Sequence, residues 1–142
     1  MDDTTIETER LRIVAFSEEH LTAKYVSWMN DPEVVRFSNQ RHRVHTLESC
    51  REFWLSFTGT PHRFWAITAK DPAIGHIGNM HARIDSVHSI ADVAILLGEK
   101  QYWGSGYGQE AWGATCGYLL RTMGMRKVTA GSLATNKPML AL

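Results

Sequence analysis

The stretch IADVAILLG (Ile90 to Gly98) is apolar at nearly every position, the pattern of a strand buried on both faces. Behind it the chain places glycine at 104, 106 and 108, then a helical pattern, then the strand-like RKVTAGSL (Arg126 to Leu133). A strand, a loop, a helix and a second strand form a β-α-β crossover, which normally sets the two strands parallel. That unit commits the chain to a mixed α/β sheet. It also fixes the direction of the glycine loop, which opens at a strand's C-terminal end and leads into a helix N-terminus.

The remaining elements fit around this unit. RLRIVAF (Arg10 to Phe16) alternates as a strand, and Ser17 reads as the N-cap of a helix to about Met29 carrying Leu21, Tyr25, Trp28 and Met29 on one side. Asn30 and Asp31 before Pro32 turn the chain. Thr46 caps a second helix with Leu47, Cys50, Phe53, Trp54 and Phe57 at helical spacing. RFWAITAK (Arg63 to Lys70) and IGHIGNMHARID (Ile74 to Asp85) read as strands, and Gly75 and Gly78 in the second suggest a bulge or a close neighbour. The helix after the glycine loop places Trp112, Thr115, Cys116, Leu119, Leu120 and Met123 on one face and stops at Gly124. Pro138 starts a further element. The order β-α-α-β-β-β-α-β-(α) is one domain over residues 1–142, without internal repeat or linker.

Composition narrows the function. Lys+Arg and Asp+Glu both number 15, so the formal net charge is zero, which gives no electrostatic reason to expect nucleic acid or an acidic membrane as partner. Cys50 and Cys116 both fall in helical patterns as small apolar residues, which fits a reducing cytoplasm. No signal region and no membrane-length apolar run is present in the sequence. The seven histidines include His42, His45, His76, His81 and His88, with no zinc-type spacing, so no metal is expected. His81 reads as a strand surface residue that could line a cleft.

Gly104-Ser105-Gly106-Tyr107-Gly108 is neither a dinucleotide fingerprint nor a Walker loop. It offers main-chain N–H groups at a helix start, which suits a diphosphate held by backbone. The stretch ADVAILLGEKQYWGSGYGQEAW resembles the acetyl-CoA-binding motif of the GNAT N-acetyltransferase superfamily, Gln/Arg-x-x-Gly-x-Gly/Ala at a helix start, with Trp103 in the first place. The Trp-Gly form is similar to the branch containing ribosomal-protein alanine N-acetyltransferases. ETERLRI, WMNDPEVVRF, IGHIGNM and GMRKVTAGSLATNKPMLAL resemble further parts of that branch in the same order.

This resemblance implies a GNAT-like central mixed sheet flanked by helices and an acetyl group moved from acetyl-CoA to a primary amine by direct attack. It places the CoA diphosphate on Trp103, Gly104, Ser105, Gly106, Tyr107 and Gly108, with Asn136 after the last strand as a further contact. It makes Ile95, Leu96 and Leu97 the main-chain partners of the pantetheine arm, with an N–H near Ile95 stabilising the oxyanion. Asp92 stands where the family often has a Glu base. It is either that base, acting through water on an amine of pKa about 7.7–8.0, or only a hydrogen-bonded strand carboxylate. Glu110 in the first helical turn suits the helix dipole and reads as structural. The acceptor is a protein N-terminus or a small-molecule amine: an amino sugar, a nucleotide-linked amino sugar, a polyamine or an aminoglycoside. The family's acid Tyr falls just past Leu142, and its Lys-x-Gly-Phe segment and last strands find no counterpart. From this we expect a C-terminally incomplete domain whose open edge a homodimer could cover, or a catalytically inactive acyl-CoA-binding domain.

Overall fold

The computed structural model describes residues 5–36 and 44–130. Its core is a six-stranded sheet in sequential order: β1 (Ile6–Glu7), β2 (Leu11–Ala15), β3 (Arg63–Ala69), β4 (His76–Asp85), β5 (Ile90–Leu97) and β6 (Lys127–Ala130). Neighbours are antiparallel except β5 and β6, which run parallel from Ile90↔Lys127 to Val93↔Ala130. The expected crossover is therefore present, with α4 (Tyr107–Gly117) as its helix.

Period-two alternation sorts the side chains onto two faces. One face gathers Leu11, Ile13, Trp65, Ile67, Ile77, Met80, Ala91 and Val93 against Ala111 of α4 and Leu119 just beyond it. The other gathers Phe16, Phe64 and Ala66 under α1 (Ala23–Met29), α2 (Pro32–Val35) and α3 (Leu47–Leu55), with Tyr25, Trp28, Cys50 and Phe57. Thr115 has no exposed surface, and its hydroxyl donates to Met80 Sδ at 3.4 Å, so α4's one buried hydroxyl is satisfied.

Several expectations are corrected. Ser17 precedes only a 3-10 turn, Glu18–His20, where the ring of buried His20 accepts the Ser17 N–H at 3.0 Å and Leu21 leaves helical geometry. The first helix starts later, with Thr22 as the N-cap that accepts from the Tyr25 N–H. Thr46 caps α3 as expected, in a reciprocal pair with Ser49, but Leu47 is exposed and the helix ends at Leu55. The buried stripe is Ala111 and Thr115 of α4 and Leu119 of the turn that follows. A π turn at Tyr118–Thr122 widens the helix end, and Leu120 points to solvent. β4 begins at His76, and the ladder to β3 slips between Ile67 and Thr68, the bulge anticipated there. β5 is not buried throughout: Asp92 is exposed and Ala94 to Leu97 are only half-buried. Asn136 and the expected element at Pro138 lie outside the described residues.

Candidate acetyl-CoA site

α4 opens without a side-chain cap. Its N-cap is Gly106 at φ +85, two residues after Gly104 at φ +81. Both are left-handed conformations that a Cβ disfavours. A Cβ at Gly104 would meet nothing within 4 Å, so backbone angle and not crowding calls for glycine there. The first-turn N–H groups of α4 thus face outward with no side chain satisfying them, a seat for an anion. Ser105 is exposed and Tyr107 and Gly108 half-buried, so the loop presents its main chain at the surface.

A residue read only as the start of a strand holds this loop. Arg10 Nε donates to Glu110 Oε1 at 2.7 Å, and Arg10 Nη1 donates to the Ser105 carbonyl at 3.0 Å. Its guanidinium carbon lies 4.1 Å from the centre of the Tyr107 ring. The Arg10 N–H and the Thr8 hydroxyl both donate to Glu110 Oε2. Burial alone would raise the Glu110 carboxyl, but these hydrogen bonds from Thr8 and Arg10 hold it below its ordinary value. Glu110 is structural, as read, but its work is to tie α4 to the first strands across the sequence. Nothing in the sequence pairs positions 10 and 110; only the sheet order brings them together.

The end of β5 supplies the second part. A Cβ on Gly78 would lie 2.2 Å from the Leu96 carbonyl oxygen, and the Gly98 N–H donates to Ile77 at 2.9 Å. Leu96 therefore turns its main chain toward β4. The alternation of an antiparallel ladder then turns Ile95 and Leu97 the other way. The Leu97 carbonyl is taken by the Trp103 indole N–H at 2.9 Å. Ile95 is left with its main chain toward the β6 side, beyond the last described pair, Val93↔Ala130. Trp103 thus pins the loop to the strand it leaves.

Asp92 is exposed, and its Oδ1 accepts from the Thr129 hydroxyl at 2.7 Å. It lies opposite Arg83 in the β4–β5 ladder, on the face covered by α1 and α3. Trp28 Nε1 donates to Glu99 at 2.9 Å and Lys100 Nζ lies 2.8 Å from Asp31, so α1 and α2 are anchored to the segment that leads into the glycine loop. The fit to a CoA diphosphate is favourable: uncapped amides, two left-handed glycines and an outward-turned strand edge stand together. Among the described residues, no group of three or more His, Cys, Asp or Glu could hold a metal ion, and no helix is long and apolar enough to cross a membrane.

A mixed sheet whose one parallel pair among the described residues is joined through a glycine loop and a helix defines an α/β domain. A model of the acetyltransferase (GNAT) domain matches residues 10–142, and the chain belongs to that family. Curated proteins compared by sequence gave no match. Among solved structures, an acetyltransferase (GNAT family) from Bacillus anthracis is similar at 21% identity and TM-score 0.79, covering 95% of this chain and 77% of that one. A spermidine N-acetyltransferase from Vibrio cholerae in complex with CoA and spermine is similar at 12% identity and TM-score 0.79, covering 94% and 78%. A ribosomal L7/L12 alpha-N-protein acetyltransferase in complex with coenzyme A is similar at 17% identity and TM-score 0.81, covering 97% and 80%. These likenesses extend to the fold.

Proposed function

We propose that the chain is an acetyl-CoA-dependent N-acetyltransferase whose acceptor is a primary amine. The observation that carries this reading is the uncapped N-terminus of α4 behind left-handed Gly104 and Gly106, set beside the outward-turned end of β5. Acetyl-CoA supplies a thioester whose acyl carbon the amine attacks, so that an N–C bond replaces the C–S bond and one proton passes overall from nitrogen to sulfur.

The chain's own groups divide that work. The amides from Gly104 to Gly108 hold the diphosphate, and Arg10 and Trp103 keep the loop in place. Ile95 offers the main-chain donor on the open side of β5, suited to a developing negative oxygen. Asn136 is a further contact to acetyl-CoA. Asp92, steadied by Thr129, presents a carboxylate on the opposite face. It draws a cationic amine and takes its proton through water; an α-amino group near pKa 7.7–8.0 needs only a modest base at neutral pH. Polyamines and protein α-amino groups are the acceptor classes suggested by the similar structures, with amino sugars as a third. A reducing cytoplasm suits free Cys50 and Cys116.

The test is an acetyl-CoA thermal-shift titration followed by a CoA-release assay over spermidine, glucosamine and a short peptide with a free N-terminus. Stabilisation with amine-dependent CoA release supports the reading. Stabilisation with no release from any amine makes the chain an acyl-CoA-binding domain, and no stabilisation contradicts the site.

A further inference from the structure

On the face beneath α1 and α3, the cross-strand pairs set out three rows of side chains. Phe64, His81 and Ala94 form the middle row; Ala66, Asn79 and Leu96 flank it on one side, with Arg83 and Asp92 on the other. Ala94, opposite His81 on β5, contributes only a methyl group to that row. Asp92 and His81 are diagonal neighbours on that face, a spacing of ~7–8 Å between backbones that long side chains bridge. The His81 ring is walled by Phe53 and Phe57 at 5.8 Å each and by Phe64 at 6.5 Å.

A half-buried imidazole normally finds a partner. His76, two rows away, donates its Nε2–H to Asn79 Oδ1 at 2.8 Å, and the His20 ring accepts from the Ser17 N–H. His81 has no hydrogen-bond partner among the described residues, and its nitrogens are not sealed from water. Two polar atoms are thus left ready on an otherwise aromatic surface, next to a carboxylate and to the strand that carries Ile95.

Building on the acetyltransferase reading, we propose that His81 binds the acceptor's amino group, its neutral imidazole accepting a hydrogen bond from the amine N–H while Asp92 supplies the opposing charge. An imidazolium there would repel the incoming ammonium, so the ring must stay neutral. The surroundings arrange this. Burial pushes His81 down to about 4; Arg83 on β4 and His62 before β3 act in the same direction, and Asp92 on β5 opposes them. The ring meets Phe53 from α3 and Phe57 from the turn that follows it.

The experiment compares wild type with His81→Phe, which keeps the aromatic packing, and His81→Gln, which keeps an accepting oxygen. Acetyl-CoA stabilisation is read first and is unchanged in both variants. Amine kinetics follow: His81→Phe raises the acceptor KM roughly tenfold, the scale of one lost hydrogen bond to a charged group, and His81→Gln recovers most of it. In histidine-labelled wild type, spermidine, glucosamine or the peptide moves the His81 ring resonance, with or without CoA. An unchanged acceptor KM in His81→Phe overturns the assignment, as does a His81 resonance that no amine moves. Loss of acetyl-CoA stabilisation in the wild type is a different failure, and it overturns the acetyltransferase reading itself.

Discussion

The two ends of the site are made of different material. The proposed acetyl-CoA end is main chain: glycines in left-handed conformations, uncapped amides and a strand edge, braced from outside by Arg10, Glu110 and Trp103. The proposed acceptor end is side chain: His81, Asp92, Arg83 and the rings of Phe53, Phe57 and Phe64, drawn from β3, β4, β5, α3 and the turn after α3. A ligand part that never changes can be held by backbone, which leaves no side chain to vary. A ligand part that differs between enzymes needs side chains, and those can change without disturbing the loop.

If that division is real, the two ends fail separately. Gly106→Val should have the largest effect. Gly106 sits at φ +85, and a β-branched residue there either strains or flips the first turn of α4. Acetyl-CoA affinity should fall by roughly a hundredfold by calorimetry, while the fold is kept by circular dichroism.

Acid should act on the acceptor face first. His76 and His81 are both pushed to about 4, chiefly by burial, whereas the unfolded chain titrates near 6.5. The unfolded state therefore binds more protons between these values. The stability owed to the neutral rings is whole above about 6.5, declines as pH falls, and is gone at about 4. The melting temperature should drop by on the order of 10 °C across that window. His81→Phe should flatten the drop.

Arg10→Met should weaken acetyl-CoA about fivefold to tenfold and leave the acceptor KM alone, since the change mispositions a loop and removes no ligand contact. Asp92→Asn should do the reverse, raising the acceptor KM about two- to fivefold, the scale of an exposed charge interaction. Smallest is Gly113→Ala. This exposed mid-helix glycine of α4 has open space where a Cβ would go, so the change should stabilise the fold by ~0.5–1 kcal/mol and move neither ligand constant.

The same division explains what the sequence revealed. β5, the glycine loop and α4 were legible because each signal is local: an apolar run, three close glycines and a helical stripe. Thr46 was legible for the same reason. Ser17 and Thr22 both look like caps, and the choice between them depends on His20 turning inward, which composition does not reveal. Arg10 was missed because its partners, Glu110, Ser105 and Tyr107, meet it only through sheet order. His81 was read as a strand surface residue that could line a cleft, since alternation alone gives a side and not a neighbour. What singles it out for the proposal is the methyl group of Ala94 across the ladder and the rings of Phe53, Phe57 and Phe64 around it. Leu96 was expected to offer its main chain, but the ladder to Asn79 engages it and leaves its side chain on the acceptor face.

The most direct test of the backbone-held cofactor is isothermal titration of acetyl-CoA into wild type, Gly106→Val and His81→Phe. The account predicts one site in the wild type, the same affinity in His81→Phe and a large loss in a folded Gly106→Val. Undiminished binding to a folded Gly106→Val would contradict it, because the cofactor would then be held somewhere other than the amides of the glycine loop.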